Sequence, residues 1–410
     1  MTDQQPQTLL FVGGGIETVP GVNLARSMGL RVLVSDRNPQ APCMALADGA
    51  LIADTYDGPA TSEAARVWCS QNGPLHGVIC LATDVPHTVA RVAADFGLPG
   101  ISPQSAALAV DKLAMKQRFA QRGVAIPFFE ALSDEQHLHR LIAERGLPLV
   151  IKPVDSRGAR GVLRLTETVD PNWAFDYARS FSPSGRVMLE QYLAGPQLSS
   201  ESLVIDGQVY TPGISDRNYA LLETYAPFFI EDGGDLPSYL DDEIIDQVRQ
   251  LVARAATALE IRDGVVKGDI VVSEGKPYII EVATRLSGGY FCSHSIPMNT
   301  GVELVRHAIS RALGRVVDPN DLKPRYQRHV CQRYLFPKSG RVVAVEGEQE
   351  ARSDPRLAYL EIRVKAGDEV AGIENHPCRA GVLMTTGNSR EEAREAAEKA
   401  VSRIHIITSS

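Results

Sequence analysis

Two carboxylates and an arginine near position 280 are the residues whose types and spacing best suit chemistry. In VKGDIVVSEGKPYIIEVATRLSGGY, residues 266–290, the apolar runs 270–272 and 278–280 flank the turn Ser273-Glu274-Gly275-Lys276. That pattern predicts a β-hairpin. Asp269 opens the first run and Glu281 closes the second. On antiparallel strands joined by so short a turn the two lie side by side, and they repel unless a cation sits between them. Hard oxygen donors of this kind suit Mg²⁺, which keeps waters and takes further ligands from substrate phosphates. Arg285 follows Glu281 by four residues and leads into Ser287-Gly288-Gly289. That tail offers a fixed cation and a glycine-permitted loop whose backbone N–H groups can face an anion. A solvated hairpin with incidental charges is the plain alternative.

Other stretches add to the first reading. Asp111-Lys112 opens a helix with Lys116 one turn on, ended by Gly123. The strand 148–152 ends on Lys152 and runs into PVDSRGARG, residues 153–161. Ser156, Gly158 and Gly161 with two arginines suit a loop that covers phosphates, the cations offsetting charge. It is not a Walker loop, because no helix begins at a Gly-Lys-Ser/Thr. Glu190 stands in the apolar strand VMLEQYL, where a carboxylate is either an edge charge or an acceptor for a buried donor. The irregular stretch 214–240 is long enough to be functional or mobile.

The elements that must position these residues follow an α/β order. A strand at 9–12, Gly13-Gly14-Gly15, a helix at 22–28 and a strand at 31–35 ending at Asp36 invite a dinucleotide-binding reading. The third fingerprint glycine would fall on Thr18, and Glu17 would turn a negative charge on a pyrophosphate. The unit is therefore a Rossmann-like layer whose first turn can receive a small substrate, and a nicotinamide oxidoreductase is set aside. A helix at 62–70, a strand at 77–81 and a helix at 86–96 continue it, with Ala82-Thr83-Asp84 at the ligand-binding end of the strand. A second α/β unit spans 126–152, followed by a hairpin at 199–204 and 208–211 and a helix at 241–260. After the helix at 302–313 the polar segment 319–325 reads as a linker, leading into strands at 330–336, 341–345, 361–364 and 382–386 and a helix at 390–403.

With 410 residues the chain has room for two or three domains. A net charge of −8 without a basic block argues against a nucleic-acid surface. No apolar run reaches the length of a membrane span, and the polar MTDQQPQ start has no signal-peptide pattern. The six scattered cysteines show no metal spacing and suit reduced core thiols of a cytoplasmic protein. His137 and His139 cannot share a helix face, which leaves them at the surface.

The ordered set of Lys112, Lys152-Pro153, DSRGARG, EQYL and D…E…R on a hairpin with a glycine tail resembles the ATP-grasp superfamily. It is most similar to the carbamoyl-phosphate-synthetase-like carboxylate–amine ligases, including the amino-acid ligases. LATD at 81–84, APFFIEDG at 226–233 and GVLMTTGNSREEAREAAEKA at 381–400 extend the resemblance over most of the chain. It implies an α/β and α+β protein: a Rossmann-like pre-ATP-grasp domain over 1–111, an ATP-grasp domain of two α+β subdomains over 112–318 with a lid at about 125–190, and a small C-terminal α+β domain over 319–410.

The resemblance also implies roles. Lys112 and Lys152 would contact the phosphates of ATP, under a closing loop that carries Ser156, Arg157, Gly158 and Gly161. Glu190, Gln191, Tyr192 and Leu193 would pair with the adenine, and Gln197 with the ribose. Asp269 and Glu281 would hold Mg²⁺, while Arg285, Ser287, Gly288 and Gly289 would bind a substrate carboxylate and then its acyl phosphate. Three positions depart from the family pattern: Gln197 for a glutamate, Ala283 for an asparagine metal ligand, and Gly233-Gly234 where a histidine often lies. The implied activity is an ADP-forming ligation of a small-molecule carboxylate to an amine, in a homodimer. A bicarbonate-activating carboxylase or carbamoyl-type enzyme and an ATP-binding regulator with weakened turnover are the alternatives.

Overall fold

A computed structural model describes residues 6–409 of the chain; most of the polar N-terminal stretch, residues 1–5, lies outside the described residues. Strands Thr8–Val12, Arg31–Asp36, Gly49–Ile52 and Gly77–Ile79 form a parallel sheet in the order third, second, first, fourth. The first two strands are apolar along most of their length because helices cover both faces. Leu9, Phe11, Val32 and Val34 pack with Val22 and Ala25 of helix Val19–Ser27. Leu10, Val12 and Leu33 pack on the other side with Ala65 and Val92 of helices Gly58–Asn72 and Pro86–Phe96. The expected fourth strand stops at Ile79, and Leu81 instead makes an isolated bridge to Leu286. Gly49–Ile52 is not anticipated in the sequence: its apolar run is short, and this edge strand leaves Ala50 and Ile52 exposed.

A four-stranded antiparallel sheet comprises Phe129–Leu132, Val187–Gln191, Leu149–Pro153 and Leu163–Leu165 in spatial order. Alternation sorts its side chains. Val187, Leu189, Leu149 and Ile151 pack against Leu138, Leu141, Ala174, Phe175 and Ala178 of helices Glu135–Arg145 and Pro171–Ser180. Lys152 and Glu190 alternate with these and meet on the opposite face.

The largest sheet has eight antiparallel strands. From one edge they are Lys276–Ala283, Gly264–Ser273, Gln197–Ile205, Gln208–Asn218, Gly233–Leu236, His329–Leu335, Gly381–Gly387 and Leu357–Ile362. Helix Asp242–Ala258 lays Val248, Leu251, Val252 and Ala255 on one face, against Leu198, Val266, Ile270 and Ile279. The stretch 214–240 is less irregular than expected: Gln208–Asn218 runs on past residue 211, and Gly233–Leu236 joins it to His329–Leu335. C-terminal strands thus continue the sheet that carries the carboxylate hairpin. Helix Arg390–Arg403 matches its expected bounds. Among the described residues no helix is long and apolar enough to cross a membrane.

Candidate active site

Asp269 and Glu281 are direct cross-strand partners, as the sequence spacing requires. The register shifts by one residue immediately beside them: Asp269 faces Glu281, but Ile270 faces Ile279. Ile280 is the extra residue of a bulge. This explains why Ile279 and Val282, three apart, both reach the core beneath while Glu281 turns into the cleft.

The two carboxylates are unequally neutralised. Glu281 Oε1 lies 3.2 Å from Lys112 Nζ. Asp269 Oδ1 receives Arg217 at 3.1 Å and also Lys267. Burial alone would raise the Asp269 pKa, but Arg217 and then Lys267 override it and hold the carboxyl well below its usual range. Both cations approach Oδ1, so Oδ2 is free for another ligand. Among the described residues no three His, Cys, Asp or Glu side chains cluster with metal-binding geometry. A Mg²⁺ site of two carboxylates fits these residues, the remaining ligands coming from phosphate oxygens and water.

Behind the cleft lies a buried triad. Glu190 Oε2 is 2.6 Å from Lys152 Nζ, and Oε1 is 2.9 Å from Lys116 Nζ. Both oxygens of the carboxylate therefore face buried ammonium groups. Burial would raise the Glu190 pKa; Lys116 and Lys152 reverse this and lower it. Burial pushes Lys116 down to about 8 against the pull of Glu190. Lys116 also donates to the Ile279 carbonyl at 3.2 Å, tying the four-stranded sheet to the hairpin. Its position four residues after Lys112 on one helix was the signal that could have found it.

The phosphate-type loop is held from both sides. Lys112 donates to the Ser156 carbonyl at 2.6 Å, and Arg157 stacks on Tyr56 with Asp84 4.0 Å away. From the C-terminal part of the chain, the His376 N–H donates to the Gly158 carbonyl at 3.2 Å, and Glu374 accepts from Tyr177 at 2.8 Å. Ser156, Arg157 and Gly158 line the cleft. Gly161 does not; its absent side chain leaves room for Pro153 and Phe181.

The tail of the hairpin is spoken for more fully than its sequence suggests. The Ser287 N–H donates to buried Glu201 at 2.9 Å, and the Gly289 N–H to Glu17 at 2.7 Å. Glu17 also receives Arg363 at 2.6 Å, so a residue first set against nucleotide binding joins three parts of the chain. Burial raises the Glu201 pKa to about 7. Arg285 points into the cleft with Asp84 3.8 Å away, and its buried Nε has no hydrogen-bond partner.

One cleft of about 550 Å³ collects these groups: Lys112, Lys152, Glu190, Gln191, Tyr192, Leu193, Gln197, Asp269, Glu281, Arg285 and the 287–289 loop all line it. Two facing α+β layers with lysines, a covering loop and paired carboxylates between them define an ATP-grasp site. Residues 109–289 match the ATP-grasp domain family, and residues 333–409 match L-amino acid ligase C-terminal domain 2. These two matches support an ATP-grasp carboxylate–amine ligase.

Among its relatives, the uncharacterized protein y4rH of Sinorhizobium fredii is 26% identical over 335 residues, 80% of this chain and 68% of that one. D-alanine–D-alanine ligase B of Pseudomonas syringae pv. tomato is 29% identical over 217 residues, 52% of this chain and 62% of that ligase. The L-amino acid ligase from Bacillus licheniformis has a similar fold, with a TM-score of 0.82 at 20% identity over 99% of this chain and 100% of that one. Phosphoribosylglycinamide synthetase from Anaerococcus prevotii gives 0.76 at 18% identity, over 98% and 100%. ATP and Mg²⁺ are the cofactors of this class.

Proposed function

We propose that the protein uses ATP to convert a carboxylate into an acyl phosphate and couples it to an amine, releasing ADP and phosphate. The observation that carries this is the placement of Arg285: it enters the same cleft as the Asp269–Glu281 pair, on the side of the N-terminal layer rather than beside Glu190. The match of residues 333–409 supports amino acids as the substrates. Asp269 and Glu281 would hold Mg²⁺, which neutralises charge on the transferring phosphoryl group. Lys112 and Lys152 would receive phosphate oxygens. Glu190 would accept from the adenine amino group, and Gln197 would face the ribose. Arg285 would hold the substrate carboxylate in line and then its acyl phosphate. No protein nucleophile is needed, because positioning and electrostatic neutralisation carry such transfers. Closure of the 156–160 loop would keep water from the intermediate.

The test is ADP release with a pool of L-amino acids, followed by mass spectrometry for ATP-dependent condensation products. ATP binding without ADP release above background would leave a nucleotide-binding regulator instead. Arg285→Lys should leave ATP affinity, read by calorimetry, nearly unchanged and slow ADP formation about a hundredfold, since an ammonium cannot reproduce the two parallel bonds of a guanidinium. Equal losses in affinity and turnover would move Arg285 to the nucleotide site.

A further inference from the structure

The turn His376–Cys378 and the following Arg379 belong to the C-terminal part of the chain, yet they line the cleft beside the covering loop. Their neighbours locate them along it. His376 Nε2 is 3.8 Å from Glu231 Oε2, Glu231 is 2.6 Å from Arg217, and Arg217 is 3.1 Å from Asp269. The imidazole is therefore a short chain of side chains from the carboxylate pair, where the reacting phosphoryl group would lie. It is 23% exposed, so the ring is reachable from the cleft.

Burial first, and then the Arg379 charge, keep the imidazole neutral, well below the usual histidine range. Glu231 works against this, and Arg217 and Lys267 reinforce it. Glu231 cannot take up a proton in its place: against its burial, Arg217 and Arg379 hold its pKa down to about 2. Arg379 is itself incompletely used. It lies flat on Tyr334, 3.6 Å from the ring centre, and Nη2 donates to the Glu231 carbonyl at 3.0 Å. Nη2 also lies 3.4 Å from Glu231 Oε2; the side chain is 10% exposed, and Nε is buried with no partner. A neutral base and a partly exposed arginine thus stand three residues apart on one turn.

We propose that this turn is the amine-side subsite, Arg379 receiving the carboxylate of an α-amino acid and His376 taking the proton from its ammonium group. The proposal rests on the ligase reading above and names the amine as an amino acid. In the step, the ammonium gives one proton to the imidazole, and the freed lone pair forms the C–N bond to the acyl carbon. The C–O bond to phosphate breaks, phosphate leaving with the electron pair. A second proton passes from nitrogen to the departing phosphate, giving an amide and hydrogen phosphate. His376 then returns its proton to solvent. ATP phosphates under the 156–160 loop bring negative charge toward the imidazole, which raises its basicity when the substrates are bound.

Hydroxylamine separates the half-reactions, because it is already neutral near neutral pH and carries no carboxylate. The probes are ATP, Mg²⁺ and a pool of L-amino acids, with or without hydroxylamine; hydroxamate reports carboxylate activation and dipeptide reports amine attack. In His376→Gln, dipeptide should fall about a hundredfold or more, the span of a general base, while hydroxamate falls only a few fold. The acid limb of the wild-type dipeptide pH profile should vanish in this variant. Arg379→Gln should raise the amine KM more than it lowers kcat, and should erase the preference for an amino acid over its amide. Parallel losses of hydroxamate and dipeptide, or no loss of either, overturn the subsite. A wild type that forms no hydroxamate is a separate failure, one that removes the ligase reading itself.

Discussion

Glu281→Gln should lower ADP formation at saturating Mg²⁺ on the order of a thousandfold, the upper end of what one preorganised electrostatic group contributes. Asp269→Asn should cost less. The two acids are paired in register, but their surroundings differ. Glu281 has a single cation, Lys112, at 3.2 Å, so its charge is the more available to a metal. Asp269 already shares Oδ1 between Arg217 and Lys267. Removing its charge weakens a ligand that was partly neutralised and leaves two cations beside the phosphates. The measurement is ADP release across a Mg²⁺ titration for both variants. Wild-type turnover in Glu281→Gln would end the metal assignment, and the reverse order of losses would show that Asp269 is the main ligand.

The second large effect is on folding. Glu190→Gln should destabilise the protein by about 3–5 kcal/mol, the usual cost of removing one partner from a buried ion pair. The residue is 2% exposed and is the shared anion of Lys116 and Lys152. A glutamine keeps the shape and strands both ammonium groups. The deficit has a pH signature. Lys116 has a folded pKa of about 8, below its ordinary value of 10.5. The unfolded chain therefore binds more protons between those values, and stability rises with pH across them. Without Glu190 the depression deepens and the affected range extends below pH 8. The gap between variant and wild type should narrow as pH rises toward about 8 and stay constant above it, where folded Lys116 has lost its proton in both. Urea unfolding at neutral and mildly alkaline pH reads this directly. A gap that is small and independent of pH would show that the triad is not an ionic lock. Mg²⁺–ATP should recover part of the loss, since phosphates replace the missing anion and a ligand of the native state adds stability by mass action.

What could be read in the sequence is what short-range pairing decides. The hairpin register follows from a tight turn between two apolar runs, so Asp269 and Glu281 could be paired on paper, and helix Lys112–Gln121 from its Asp111 cap. Lys152 and Glu190 could be singled out because each is a charge in an apolar strand. Their meeting could not, since it depends on Leu149–Pro153 pairing with Val187–Gln191. In the sequence Glu17 shows only a charge unsuited to a pyrophosphate; its partners, Gly289 and Arg363, lie in two distant segments. Glu201 and Lys267 are opposite each other across two strands, a fact that no single-strand pattern holds. His376 and Arg379 were invisible as site residues because nothing local in residues 371–380 says what that loop packs against. Helix Pro171–Ser180 lacks a broad apolar run, its interior face being Ala174, Phe175 and Ala178.

The continuity of the eight-stranded sheet limits how this chain can be cut. Residues 319–325 look like a natural place to shorten the protein or to graft on another C-terminal half. Severing there would strip His329–Leu335 from Gly233–Leu236. The four-residue strand would then present open N–H and C=O groups to solvent, and Asp235 would lose Arg333, Arg390 and Arg394 together. A bare strand edge invites pairing with other chains. The shortened protein should therefore self-associate rather than persist as an independent ATP-binding unit, and a working chimera must carry over its own matching strand together with the arginines that cover it.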